Sequence, residues 1–254
     1  MNLVFASGFL APQRILAVDY FRDLPAQYPD ALFPNVPVDG RICDRAPELA
    51  RQIQARFPAG EIHIIAHSMG GLDSRFLLTK NLHGLADRIV SLSTISTPHR
   101  GSPVADAVLG LLPGIDAEPV RMLLDRFASL GSGALDDLTT RAAVKFNQEN
   151  PDLPHVRYLS YFGSGHISLA LRPTSDLMRS CGATQEQKIN DGVVSLHSAR
   201  WPADLVEPAW PADHLAQIGH DLDCLDLVSS FDHKKAFARV AERATHPAAA
   251  GAGA

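Results

Sequence analysis

Cysteine, long apolar runs and clustered positive charge are all scarce in this chain. Its 254 residues hold three cysteines, Cys43, Cys181 and Cys224, with no CxxC pair among them. An odd, scattered set supports neither a zinc knuckle nor a disulfide framework. No apolar stretch nears the ~20 residues of a bilayer-spanning helix, so no span is expected. Lys and Arg number 23 against 28 Asp and Glu, a net charge of 23 − 28 = −5. Without a basic cluster to hold a phosphate backbone, nucleic acid is not an expected partner. The opening Met1-Asn2-Leu3-Val4-Phe5 has no positive residue ahead of its apolar run. That is unlike a signal peptide, and a cytoplasmic location is the expectation. What is present is ordinary for a globular chain: 46% apolar and 20% charged residues, enough for one large domain with a buried core.

Short apolar runs alternate with longer amphipathic ones. Leu3–Ser7, Ile62–Ala66, Arg88–Ser96 and Val156–Phe162 read as strands, the middle two apolar enough to be buried on both faces. Asp44–Phe57 carries Leu49, Ile53 and Phe57 at spacing four, with Pro47 in the first turn of a helix that Pro58 ends. Met69–Asn81 repeats the helical spacing through Leu72, Phe76 and Leu77. The alternation predicts an α/β fold, a mostly parallel central sheet flanked by helices. One domain is expected over residues 1–245, with His246–Ala254 a low-complexity tail. Residues 102–150 interrupt the pattern with helical stretches at Val104–Leu112, Val120–Leu130 and Leu135–Asn147. An insertion that long predicts a helical lid or cap. Gly163–Asn190 reads as a mixed loop.

The strongest chemical signal is Ile62-His63-Ile64-Ile65-Ala66-His67-Ser68-Met69-Gly70-Gly71-Leu72. A strand runs into small-x-Ser-x-Gly and then a helix, the layout of a nucleophile elbow with Ala66 in place of the first glycine. The turn is cramped, so the residues two before and two after the serine must be small. A serine nucleophile needs a base and an orienting carboxylate, in the chain order Ser, Asp, His for this layout. Asn190-Asp191-Gly192, at the end of a loop read as entering an apolar strand, offers the acid and Asp213-His214-Leu215 the base, with His220 and His197 as rival bases. An oxyanion hole requires two backbone N–H groups. Met69 supplies one, and Phe9, in the Ser7-Gly8-Phe9-Leu10 turn after the first strand, supplies the other. His67 and His99 read as packing or hydrogen-bonding residues. No His-x-x-x-His spacing indicates a metal.

Taken together, Val18-Asp19-Tyr20-Phe21, the elbow, Ser96-Thr97-Pro98-His99-Arg100-Gly101-Ser102, Phe146-Asn147, Asn190-Asp191-Gly192 and Asp213-His214-Leu215 resemble one family. It is that of the bacterial true lipases of the Pseudomonas and Burkholderia type, within the α/β-hydrolase fold. The resemblance implies a carboxylic-ester hydrolase, a lipase or esterase acting on a small-molecule ester or lipid. It assigns Ser68 as nucleophile, Asp191 as acid, His214 as base, and the Phe9 and Met69 amides as the oxyanion hole. Part of residues 102–150 is then an interfacial lid in transient contact with lipid. Three departures matter. Ser7 stands where the family has histidine. The family's calcium carboxylates are replaced by Ala216 and by Arg172 of Arg172-Pro173, so no calcium and no other cofactor is expected. The Arg172 guanidinium, with Asp176, is a candidate stand-in. No family disulfide is visible, His197 standing where a cysteine is expected, and no secretion foldase is anticipated. An acyltransferase or thioesterase on the same scaffold, or a non-catalytic binding protein, are the alternatives.

Overall fold

The computed structural model describes residues 2–9, 14–15, 18–114, 118, 133–201, 205–223 and 230–246. The expected helix Val120–Leu130, and with it the middle of the expected lid, lies outside these residues, as do Cys224 and all but the first residue of the expected tail. Four strands form one parallel sheet in the order β1 (Asn2–Ala6), β2 (Ile62–His67), β3 (Ile89–Ile95), β4 (Arg157–Tyr161). The register pairs Val4 with Ile64, Ala66 with Thr94 and Ile95 with Tyr161. All four strands fall within a residue or two of the apolar runs read from the sequence.

Because side chains alternate along a strand, the sheet has two apolar faces. Val4, Ala6, Ile62, Ile64, Ala66 and Leu92 pack against α1 (Ile42–Arg56) and α2 (Gly70–Thr79) through Leu49, Ile53, Leu77 and Leu78. Leu3, Phe5, Ile65 and Tyr161 point the other way, onto Trp210 and onto Phe237 and Val240 of a C-terminal helix, His233–Thr245. Apolar spacing in the sequence did not single out that helix. Both inner strands are covered on both faces: β2 is apolar apart from His63 and His67, and β3 buries the small hydroxyls Ser91, Ser93 and Thr94 among its apolar residues.

Three expectations are corrected. Pro47 lies a full turn inside α1 rather than in its first turn. The helix starts early because the Ile42 amide donates to the Asp137 carboxylate at 2.8 Å and the Arg41 amide to Asp44 at 3.2 Å, satisfying donors that a helix start leaves open. Gly163–Asn190 is not a loop throughout. Arg172–Cys181 forms a helix with Pro173 in its first turn and Thr174, Ser175, Leu177 and Met178 buried; the buried stripe is half polar, which hides it from an apolar-spacing argument. The residues after Asp191 do not enter a strand. The Asp191 carboxylate folds back onto the Val193 and Val194 amides, and Ser195 caps a short helix, Leu196–Ala199.

The described part of the insertion after β3 holds three helices, Pro103–Val108, Ala134–Asp137 and Thr140–Glu149. Val104, Ala105, Val108, Leu135 and Leu138 pack on Met69 and Leu72 beside the elbow. The last helix belongs to the body of the domain, since Asn147 receives the Arg75 guanidinium at 2.7 Å and donates to the His99 carbonyl at 2.8 Å.

Candidate active site

In a parallel sheet the loops at the carboxyl ends of the strands share one edge. That edge gathers Ser7-Gly8 after β1, Ser68 after β2, Ser96 after β3 and Phe162-Gly163 after β4. Ser68 adopts φ 55°, a left-handed conformation that costs a non-glycine residue free energy. The surroundings hold it there. Its amide donates to the Ile95 carbonyl at 2.9 Å, and its carbonyl accepts from the Thr97 hydroxyl at 2.7 Å. A Cβ on Gly70 would come within 2.5 Å of the Ala6 carbonyl oxygen, so the steric demand read from the sequence is met by backbone contact. Met69 is the N-cap residue of α2, where helical amides have no partner within the helix.

Asp191 and His214, 23 residues apart in the chain, are hydrogen-bonded: His214 Nδ1 lies 2.8 Å from Asp191 Oδ2, both side chains buried. The His214 amide also donates to the Asp191 carbonyl at 2.8 Å, so ring and backbone are clamped together. Gln217 Nε2 donates to the same Oδ2 at 2.9 Å, while Oδ1 accepts the amides of Val193 and Val194. Burial by itself would raise the Asp191 carboxyl. The His214 charge and hydrogen bond, the Val194 amide and the Ser96 hydroxyl together outweigh it and hold the group below its ordinary value. His67, which precedes Ser68, has its ring centroid 4.5 Å from that of His214, which sets the Asp191–His214 pair beside the serine turn. Neither rival base is bonded to Asp191. His220 Nε2 lies 3.0 Å from the carbonyls of both Asp19 and Tyr20, and His197 sits in the short helix beyond Asp191. His99, buried and stacked on Trp201 at 5.4 Å, bonds Thr94 at 3.2 Å and takes the structural role expected of it.

The turn after β1 meets the elbow. Arg45 of α1 is wholly buried; it donates to the carbonyls of Ser7 at 2.9 Å and Gly8 at 3.1 Å, and pairs with Asp73 of α2 at 2.9 Å. In a planar trans peptide the N–H points opposite the C=O. Fixing the Gly8 carbonyl toward Arg45 therefore directs the Phe9 amide away from it. A Cβ on Gly8 would lie 2.6 Å from Ser68 Cβ and 2.8 Å from Tyr20 Oη. We expect Gly8→Ala to lose ~10²-fold or more in ester turnover, as removal of one oxyanion donor does, for an overpacking cost of about 1–3 kcal/mol. Steady-state rates beside a urea melt check it, and parental turnover would remove Phe9 from the site.

Arg45, Asp73, Gln217, Ser96 and Thr97 are site residues that sequence reasoning missed. A hint existed only for Arg45 and Asp73, each a charged residue on the apolar side of a helix. Burial pushes the Asp73 carboxyl up to about 6, against the charge and hydrogen bond of Arg45. The folded chain thus holds this proton more tightly than the unfolded one, where such a group titrates near ~3.9. This side chain contributes stability at low pH that is lost as pH rises through about 6. The unfolding free energy of the parent minus that of Asp73→Asn is expected to fall as pH rises from ~4 to ~6; a flat or rising difference would contradict it.

Among the described residues no three His, Cys, Asp or Glu side chains are grouped to hold a metal ion. Arg172 and Asp176, the suggested calcium substitutes, are both exposed. The loop carrying His214 is held by Asp213, whose carboxylate accepts the amides of Ser168, Leu215 and Ala216 at 2.9–3.1 Å.

Residues 44–164 match the family model described as PGAP1-like alpha/beta domain. Over 178 residues the chain is 35% identical to Triacylglycerol lipase 2 of Saccharomyces cerevisiae, covering 66% of this chain and 51% of that one. It is 25% identical over 251 residues to the triacylglycerol lipase of Vibrio cholerae, covering 85% and 78%. It thus spans about half the length of the yeast relative. The mature form of Bacillus licheniformis lipase BlEst2 superposes with a TM-score of 0.68 at 20% identity, over 96% of this chain and 92% of that one. The chain has the α/β-hydrolase fold. Within an α/β-hydrolase the serine turn, the acid turn and the histidine loop all belong at the carboxyl edge of the sheet, where Ser68, Asp191 and His214 are found.

Proposed function

We propose that this α/β-hydrolase is a serine carboxylic-ester hydrolase, a lipase or esterase, with Ser68 as nucleophile, His214 as base and Asp191 as the orienting acid. The observation that carries the reading is the buried Asp191–His214 hydrogen bond at 2.8 Å, set beside a serine held at φ 55°. His214 takes the Ser68 proton as the oxygen attacks the ester carbonyl. Asp191 keeps the imidazole proton on Nδ1 and stabilises the imidazolium, and the Phe9 and Met69 amides receive the oxyanion. His214 then protonates the departing alcohol, and water attacks the acyl-enzyme with the same base.

The finer reading is kinship with the true lipases of the Pseudomonas and Burkholderia type. The motif set from Tyr20 to His214 supports it, as do relatives named triacylglycerol lipases. Under that reading the substrate is an acyl ester of a lipid and the insertion after β3 serves as the lid. Leu109 and Leu111, 38% and 54% exposed at its entry, give it an apolar edge to present to a lipid surface. The test is a fluorophosphonate probe read by peptide mass spectrometry, with rates on p-nitrophenyl esters of increasing chain length. Labelling at Ser68 with turnover supports the proposal. A chain that stays unlabelled and hydrolyses no ester is a binding protein on a hydrolase scaffold.

A further inference from the structure

Tyr20 and His67 have no part in the mechanism above, yet both are buried within it. The Gly8 amide donates to Tyr20 Oη at 3.1 Å, so that oxygen is an acceptor there. The phenol has one proton to give, and His67 Nδ1 lies 2.6 Å away to receive it. Burial raises the phenol far above its ordinary range, so the proton is present. An accepting Nδ1 must be bare, which leaves the His67 proton on Nε2. Burial first, and then the charge of His214, hold His67 well below its ordinary value; Asp191 pulls the other way and His220 with His214, so the ring is neutral. Nε2 is buried without a hydrogen-bond partner.

The same tyrosine stands on the histidine loop. His220 Nε2–H lies between the carbonyls of Asp19 and Tyr20, and the Arg22 amide donates to the Ile218 carbonyl at 3.1 Å. Tyr20 is therefore bonded through its carbonyl to His220, with Arg22 two residues on holding Ile218, and through its hydroxyl to Gly8 and His67.

We propose that Tyr20 is a positioning residue: its hydroxyl ties the Gly8–Phe9 turn to His67 beside Ser68 and fixes His67 as the neutral Nε2–H tautomer, while its backbone carbonyl holds the histidine loop through His220. The two ends of the site, oxyanion donor and base, then keep their spacing without substrate to organise them. A neutral His67 also places no second positive charge against the imidazolium that forms on His214 4.5 Å away. This rests on the ester-hydrolase reading for its kinetic consequence, but not for the tautomer.

Tyr20→Phe keeps the ring and removes only the hydroxyl. For the variant, kcat on p-nitrophenyl butyrate is expected to fall about tenfold, the worth of one hydrogen bond, with KM nearly unchanged. In ¹⁵N-histidine spectra the parent should show His67 with a bare, hydrogen-bonded Nδ1 and a protonated Nε2, and no titration between pH ~5 and ~9. In the variant that signal should redistribute between tautomers or begin to titrate. A proton on Nδ1 in the parent, or an unchanged kcat with an unchanged spectrum in the variant, overturns the proposal. Should Tyr20→Phe fail to fold, the parent spectrum decides alone. Should neither protein hydrolyse any ester, the hydrolase reading fails while the spectrum still decides the tautomer.

Discussion

Ester turnover is expected to fall by ~10³-fold or more when Ser68 is replaced by alanine, a loss worth about 4 kcal/mol of barrier. The substitution deletes one oxygen and little else. The bonds that hold the turn at φ 55° use the Ser68 amide and carbonyl, donating to Ile95 and accepting from Thr97. Alanine keeps both groups and tolerates the conformation no worse than serine does. Asp191 and His214 keep their hydrogen bond. The variant should therefore melt close to the parent, retain substrate binding, and lose labelling by a fluorophosphonate. What turnover remains is owed to the oxyanion donors and to binding. Near-parental turnover in this variant would end the nucleophile assignment, whatever else the site contains.

Asp191→Asn is expected to cost about 10⁴-fold in kcat, by a route the geometry dictates. The Oδ1 position accepts two backbone amides, Val193 at 3.0 Å and Val194 at 2.8 Å. An amide NH₂ placed there would set donor against donor twice, so the asparagine oxygen stays at Oδ1 and the NH₂ takes the place of Oδ2. It then faces His214 Nδ1 and Gln217 Nε2, both donors in the parent. Gln217 can turn its amide over, since its Oε1 is buried without a partner. His214 has one remedy: its proton leaves Nδ1 for Nε2, and the lone pair the serine needs is gone. Rates measured beside a thermal melt should show loss of turnover with the fold retained. A fall of less than tenfold would mean that Asp191 does not set the tautomer.

Several parts of this site are legible in the order of residues alone. The four strands, α1 and α2 follow from apolar spacing, and the elbow from Ala66, Ser68 and Gly70 between a strand and a helix. The acid at Asp191 is legible only by chain order after Ser68, and its turn reads wrongly as the approach to a strand. Arg172–Cys181 escapes because its buried face carries Thr174 and Ser175. Arg45 and Asp73 escape because a buried ion pair is written as two ordinary surface residue types, 28 positions apart.

The order of amino acids by itself determined the alternating fold, the strained serine turn and the candidate acid and base. Each depends on spacing within a few residues, or on which chemical groups come first along the chain. Only the tertiary structure decided that His214, and not His220 or His197, meets Asp191. It alone showed that Arg45 and Tyr20 hold the turn after β1 against the elbow. Those choices rest on hydrogen bonds of about 3 Å closed between segments as far apart as Tyr20 and His220. A bond of that reach depends on where the parallel sheet delivers its strand ends, which no local window of sequence contains.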